Sequence, residues 1–361
     1  MTIPQAELGA RRERATRELQ TAGLDALVVQ PGTNFRYLTG LALERSERLV
    51  ALVLQADGET WMVGPAFEEA RLSAAVGGAY LAWAETEDPY RLLAERLRGA
   101  STLGLGPTTW FADAERLQSA LGTARLTSAH EILASLRMHK TPFEVEAIRE
   151  AAEACRQRIF AAHGRLGPGA TETAIASGFG TGDDTVMVQY GPSSAVPHGD
   201  AGDRPLEPPT ALLIDHWAPL EDGYWGDLTR STWVGGEPPS RYREVWHIVL
   251  EAQLAGIDAI RPGATCGEVD AAARSVIERA GFGEYFTHRL GHGLGLDVHE
   301  PPYLVAGNDR VLEPGMVVTV EPGIYLPGEF GVRLEEDVVV TENGAELLSD
   351  PQRELVPLTV E

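Results

Sequence analysis

The 361 residues carry 53 acidic and 30 basic side chains, a formal net charge of −23. Nucleic-acid binding is therefore excluded as a function class, because phosphate neutralisation needs clustered Lys and Arg. No run approaches the roughly 18 apolar residues of a spanning helix, so no membrane role is expected. The hydrophobic content of 43% is ample for globular cores, and the length predicts about two or three domains.

In chain order, Ala6 to Ala22 reads as a charge-rich amphipathic helix stopped by Gly23. Residues 1–25 hold no apolar secretory core and no cleavage pattern. Cys155 and Cys266 form neither a disulfide framework nor a CxxC metal site. Both observations fit a reducing cytoplasm. Ala26–Val29 is a short buried strand, and Asn34 to Gly40 a turn into a strand or short helix. Leu49–Leu54 and Glu59–Val63 flank Asp57-Gly58 as a hairpin. Helices near 67–76, 89–97 and 112–121 then alternate with strands near 80–83 and 103–105, the pattern of an α/β layer domain. Nothing in this part clusters His, Cys or acids as a site would.

A short helix over 131–137 and the punctuation His139-Lys-Thr-Pro142 place a domain boundary near Met138 to Lys140, dividing the chain into 1–138 and 139–361. The long helix from Phe143 to His163 has Thr141 as N-cap and Glu144 three residues on.

The second part repeats itself. Leu166-Gly-Pro-Gly-Ala-Thr171 recurs 94 residues later as Ile260-Arg-Pro-Gly-Ala-Thr265, each between helices. Leu206-Glu-Pro leads through an apolar strand to Asp215, and Leu312-Glu-Pro leads likewise to Glu321. One more acid follows each on a strand pattern, Asp227 and Glu335. Two similar αβ halves, each delivering two carboxylates to a shared centre, are expected.

Asp215 and Glu321 close apolar strands in this reading. A carboxylate there is partly desolvated and must pair with a cation or bind a metal. A salt bridge to Arg230 or Arg333 is the plain alternative for any one of them. Between these acids lies His288-Arg-Leu-Gly-His292-Gly-Leu-Gly-Leu-Asp-Val-His299, three histidines in twelve positions threaded with glycines. Four acids at matching places beside such a stretch favour metal. Four carboxylates and one imidazole suit two hard or borderline divalent ions better than a lone zinc. Two ions roughly 3.5–4 Å apart share a water, lower its pKa and polarise a carbonyl, so hydrolysis by metal-bound hydroxide is expected. No G-x-S-x-G elbow is present.

The set Asp215, Asp227, His292, Glu321 and Glu335 resembles the five ligands of the pita-bread metallopeptidases: prolidase, aminopeptidase P and methionine aminopeptidase. Glu321-Pro-Gly-Ile-Tyr325 and Gly331-Val-Arg-Leu-Glu335 carry the likeness most closely, and Asn34-Phe-Arg-Tyr-Leu-Thr-Gly40 resembles the N-terminal domain of the proline-specific branch. The resemblance implies a creatinase-like α/β domain followed by a pita-bread domain of two pseudo-symmetric αβ halves. It implies that Asp215 chelates one ion, Asp227 and Glu335 bridge both, and His292 and Glu321 bind the second. Glu321 would also take the proton from the water. His198 and His299 would hold the scissile carbonyl and the tetrahedral intermediate. His288 would stand near the substrate, and Arg333 would steady a bridging acid or the substrate. Manganese is the expected ion; cobalt, zinc and iron suit the same ligands.

The sequence departs from the family in two places. Asp215 is followed by His216-Trp217, where an aromatic or Ile and then Gly is usual, so Trp217 is expected to reshape the pocket wall. The Arg with which familiar prolidases read the dipeptide carboxylate is missing from His299-Glu-Pro-Pro-Tyr303. Arg45 or Arg48 is the expected substitute, a guanidinium being suited to bidentate carboxylate contact; an ion pair with the adjacent glutamates is the alternative. The implied activity is an Xaa-Pro dipeptidase, with an Xaa-Pro aminopeptidase as the second reading and a non-catalytic peptide-binding relative as a third. A metal-free creatinase-like amidinohydrolase is disfavoured by the complete ligand set. The resemblance also suggests a homodimer.

Overall fold

The computed structural model describes residues 3–77, 79–180 and 185–360. The chain divides into two compact units, one up to Arg137 and one from Met138 onward.

The first unit is built on a six-stranded sheet. Its strands are β1 (Ala26–Val29), β2 (Ala51–Gln55), β3 (Thr60–Pro65), β4 (Tyr80–Trp83), β5 (Thr102–Leu105) and β6 (Arg125–Ser128), in the order β4-β3-β2-β1-β5-β6. β1 pairs β2 antiparallel and β5 parallel. All four residues of β1 are buried, as its unbroken apolar run requires of a strand covered on both faces. Helix α1 (Gln5–Thr21) turns Leu8, Ala15 and Leu19 inward. The segment Asn34 to Gly40 is helical, α2 (Thr33–Thr39), ended by Gly40 at φ +76°. The expected helix near 67–76 is broken into single turns around α3 (Glu69–Leu72). It has no sustained apolar stripe, and Phe67 stands 66% exposed. Helices α4 (Pro89–Arg96), α5 (Phe111–Leu121) and α6 (His130–Met138) complete the series. β6 is not expected from periodicity: it is a polar edge strand of Arg-Leu-Thr-Ser that lacks the apolar signal of buried strands.

The second unit opens with α7 (Pro142–His163), whose N-terminus carries the Thr141–Glu144 capping box. Next come α8 (Glu172–Ala176) and an antiparallel sheet of β7 (Thr185–Tyr190), β8 (Thr210–Pro219) and β9 (Trp225–Val234). Helices α9 (Ser240–Ala259) and α10 (Cys266–Arg279) lead to β10 (Gly291–Gly293), β11 (Glu300–Leu304) and β12 (Val317–Val320). A hairpin of β13 (Gly323–Leu326) and β14 (Phe330–Arg333) precedes β15 (Glu336–Thr341) and β16 (Gly344–Leu347). The larger sheet has the order β11-β10-β12-β15-β16.

The repeat is visible in the hydrogen bonding. Thr171 caps α8 and Thr265 caps α10. Leu206 N donates to Ala170 O at 2.8 Å, and Leu312 N donates to Ala264 O at the same distance. The glycines of the two turns, Gly169 and Gly263, have φ of +82° and +90°. Two stretches with the same turn, cap and strand entry are therefore folded alike. No described helix is long and apolar enough to cross a membrane.

Candidate metal centre

Strand register brings the acids together. In the β8–β9 pair, Asp215 lies opposite Thr229 and Trp217 opposite Asp227. Side chains alternate along a strand, so Asp215, Trp217, Asp227 and Thr229 share one face. Asp215 is not at a strand end, as its apolar run suggested: β8 continues to Pro219, and burial comes from the sheet face. In the second half, Val320 pairs with Glu336, which sets Glu321 and Glu335 opposite each other one step beyond the ladder.

His292 enters between β11 and β12, and the flanking glycines allow it. A Cβ on Gly291 would lie 1.9 Å from Thr319 O, and one on Gly293 would lie 2.3 Å from Pro301 O. Nδ1 of His292 faces Gly293 O at 3.1 Å, which places the proton on Nδ1 and leaves Nε2 a lone pair. Nε2 stands 3.2 Å from Glu321 Oε1 and 3.8 Å from Asp227 Oδ2. Thr319 Oγ1 accepts from His292 N and donates to Glu321 Oε1, both at 3.1 Å.

All five expected ligands line one cavity of about 350 Å³, together with His198, His299, Trp217 and Arg333. Atoms of Asp227, His292 and Glu335 lie within 4.8 Å of one another. Among the described residues, Asp215 Oδ1 and Asp227 Oδ1 are buried without a hydrogen-bond partner. Burial raises Asp227 and Glu335 well above the usual carboxylate range, and repulsion from neighbouring carboxylates adds to it. Burial raises Asp215 too, against the opposing pull of Arg333. Arg333 donates to Asp215 Oδ2 at 2.6 Å, whereas Arg230 pairs with Glu336 at 3.1 Å. Of the four clustered carboxylates Arg333 hydrogen-bonds Asp215, and two of their buried oxygens find no partner among the described residues. This donor set fits divalent cations, which take carboxylate oxygens and an imidazole nitrogen.

Several residues outside the expected set hold the cluster. Thr229 Oγ1 donates to Glu335 Oε2 at 2.6 Å and accepts from Arg333 Nε at 3.0 Å. Its position two residues after Asp227 was the available signal. Asp337 Oδ2 accepts from Asp227 N at 3.0 Å. Tyr325 accepts from Arg333 Nη1 at 2.8 Å, and its hydroxyl lies 2.8 Å from His288 Nε2. His288 Nδ1 faces Arg289 O at 2.8 Å, so Nε2 accepts from Tyr325. The structure therefore turns His288 toward the arginine network, and it is not among the residues lining the cavity. The rings of His292 and His299 stand edge-on, 4.2 Å apart.

Arg45 and Arg48 belong to the first unit and line a separate cavity of about 220 Å³ there. Arg45 donates to Thr108 O and stacks over Trp110, 4.8 Å from the ring centroid. Arg48 pairs with Glu47 and, at 2.9 Å, with Glu85.

Residues 146–342 match the model of metallopeptidase family M24, and residues 11–139 match that of the creatinase/prolidase N-terminal domain. The chain belongs to metallopeptidase family M24 and is a metal-dependent peptidase, with the mixed α/β pita-bread fold of that family. It is 40% identical to the probable dipeptidase PepE of Mycobacterium tuberculosis over 98% of each chain. The crystal structure of dipeptidase PepE from Mycobacterium ulcerans superposes with a TM-score of 0.92 at 38% identity, covering 100% of both chains. That of an Xaa-Pro dipeptidase from Bacillus anthracis gives 0.88 at 30% identity, over 97% of this chain and 100% of the other.

Proposed function

We propose that this enzyme hydrolyses the bond before proline in Xaa-Pro dipeptides, using two divalent metal ions, manganese foremost. The observation that carries the reading is the convergence of four carboxylates and one imidazole on a single cavity, with two buried carboxylate oxygens that have no partner among the described residues. Asp215 would chelate one ion, Asp227 and Glu335 would bridge the pair, and His292 and Glu321 would hold the second. When bound, such ions activate a water and polarise the scissile carbonyl.

The chain's own residues do the remaining work. Glu321 takes the proton of the attacking water; it is the least buried of the four acids, 14% exposed at its side chain, and is held by Thr319. His198 and His299 donate to the carbonyl oxygen as charge develops on it, a large contribution to lowering a barrier of this kind. Arg333, anchored by Thr229 and Tyr325, orients Asp215. Trp217 lines the cavity and takes up part of its width. A bond before proline is a tertiary amide with no N–H, so the site needs no acceptor for that hydrogen.

Dipeptide specificity is supported by the dipeptidase names of the relatives and by the bulk of Trp217. The carboxylate would be read by Arg45 or Arg48. The test is hydrolysis by manganese-loaded enzyme of an Xaa-Pro dipeptide against the same sequence extended by one residue. Cleavage of the dipeptide alone is expected, with its KM raised in the Arg45→Ala/Arg48→Ala variant. Equal or better cleavage of the tripeptide would make the enzyme an Xaa-Pro aminopeptidase instead.

A further inference from the structure

Lys140 and Glu300 form an ion pair at 2.9 Å with side chains only 1% and 4% exposed. Nothing in the proposed reaction uses it. A buried ion pair is poor evidence of stabilisation, since apolar side chains of similar volume often do as well or better. Its surroundings point to another role.

Glu300 opens β11 directly after His299. Its Oε1 accepts from Lys140 Nζ, and its Oε2 accepts from Asp297 N at 3.4 Å. The carboxylate also lies beneath Gly295, where a Cβ would come within 2.7 Å of Oε1. The other side of the same loop is held by Trp225, whose N donates to Gly295 O at 2.9 Å and whose Nε1 donates to Leu296 O at 3.2 Å. Lys140 is itself anchored: its N donates to Gly315 O at 3.0 Å, and Gly315 N donates to Val340 O at 2.9 Å. A line of contacts therefore runs from the sheet through Lys140 and Glu300 into the loop that ends at His299.

We propose that the Lys140–Glu300 pair is a positioning device for His299, fixing residues 295–299 so that the imidazole stands against His292 and over the cavity. This rests on the reading of His299 as a donor to the scissile carbonyl. β10 pairs with β11 at Gly293 and Glu300 through the backbone, but His292 is tied in addition to Thr319, so losing the side-chain pair should weaken turnover far more than metal binding.

The test compares Lys140→Met/Glu300→Leu, His299→Ala and the triple variant. Manganese affinity by titration calorimetry and thermal midpoint are recorded beside kcat and KM. Removing one oxyanion donor costs about 10²–10³-fold in kcat. The double variant is expected to fold, to bind manganese within about threefold of wild type, and to lose about 100-fold in kcat. Adding His299→Ala to it is expected to cost less than about threefold more, the non-additivity of residues acting as one unit. Gly295→Ala, which presses on the carboxylate without removing a charge, provides a second perturbation and should show the same non-additivity. The inference is overturned if the double variant keeps its kcat, if its losses multiply with those of His299→Ala, or if manganese affinity falls along with turnover. If His299→Ala alone leaves kcat unchanged, the reading of His299 fails first and the inference with it.

Discussion

Replacing Asp227 by Asn should stabilise the metal-free protein and abolish most of its response to metal. Asp227 is 5% exposed, and its ligand atoms lie within 4.8 Å of those of Glu335. Two unit charges at that distance repel by about 3–4 kcal/mol at an effective dielectric near 20. The pair can avoid this by holding a proton, at a cost of about 1.4 kcal/mol per pH unit above the ordinary carboxylate value, or about 4 kcal/mol at pH 7. Both routes bound the relief in the Asn variant at about 2–4 kcal/mol. For a unit of this size that is about 5–10 °C in Tm. The sign follows from the raised carboxylates: protons retained in the folded state make the metal-free protein lose stability as pH rises above about 4. The gain from Asp227→Asn should therefore be large at pH 7 and nearly gone at pH 4.5. Scanning fluorimetry of chelator-treated protein at both pH values measures it, and calorimetry should show manganese affinity reduced at least about tenfold. A metal-free variant that melts below metal-free wild type at pH 7 would refute the argument, as would a gain that does not shrink in acid.

Gly226→Ala should strike the same centre through the backbone. The new Cβ would fall 2.3 Å from Ala152 N and 2.4 Å from Ala151 C in α7, so β9 must move and carry Asp227 with it. Overpacking of this kind costs about 1–3 kcal/mol, and a joint fall in Tm and manganese affinity is expected; unchanged affinity would show that the ligands tolerate the shift. His163, packed on Phe160, is held by burial at a pKa of about 4 against an ordinary 6.5. Its depressed value supplies stability that is present above pH 6.5 and lost as pH falls toward 4, on the order of 1–2 kcal/mol given its partial exposure. Urea melts between pH 7 and 4.5 should show wild type losing stability relative to His163→Phe as pH falls; parallel curves would contradict the assignment.

The order of elements was legible from period and punctuation: Gly23 stops α1, Thr141 and Glu144 cap α7, and the paired Pro-Gly-Ala-Thr turns announce two similar halves. Periodicity carried less where burial was partial. The polar edge strand β6 left no apolar signal, and the single turns around α3 mimicked a helix by composition alone. The donor types and their spacing were likewise readable, because acids at matching points of a repeat need no coordinates to be counted. What register alone decided is which side chains face one another: Asp215 with Thr229, Glu321 opposite Glu335, Tyr325 between His288 and Arg333. The buried Lys140–Glu300 pair, 160 residues apart in the chain, belongs to the same class. Sequence by itself determined the chemistry available to this protein, since that chemistry resides in residue type and local spacing. Only the tertiary structure decided which groups are dry, paired or orphaned, because burial and charge are set by neighbours that lie far away along the chain.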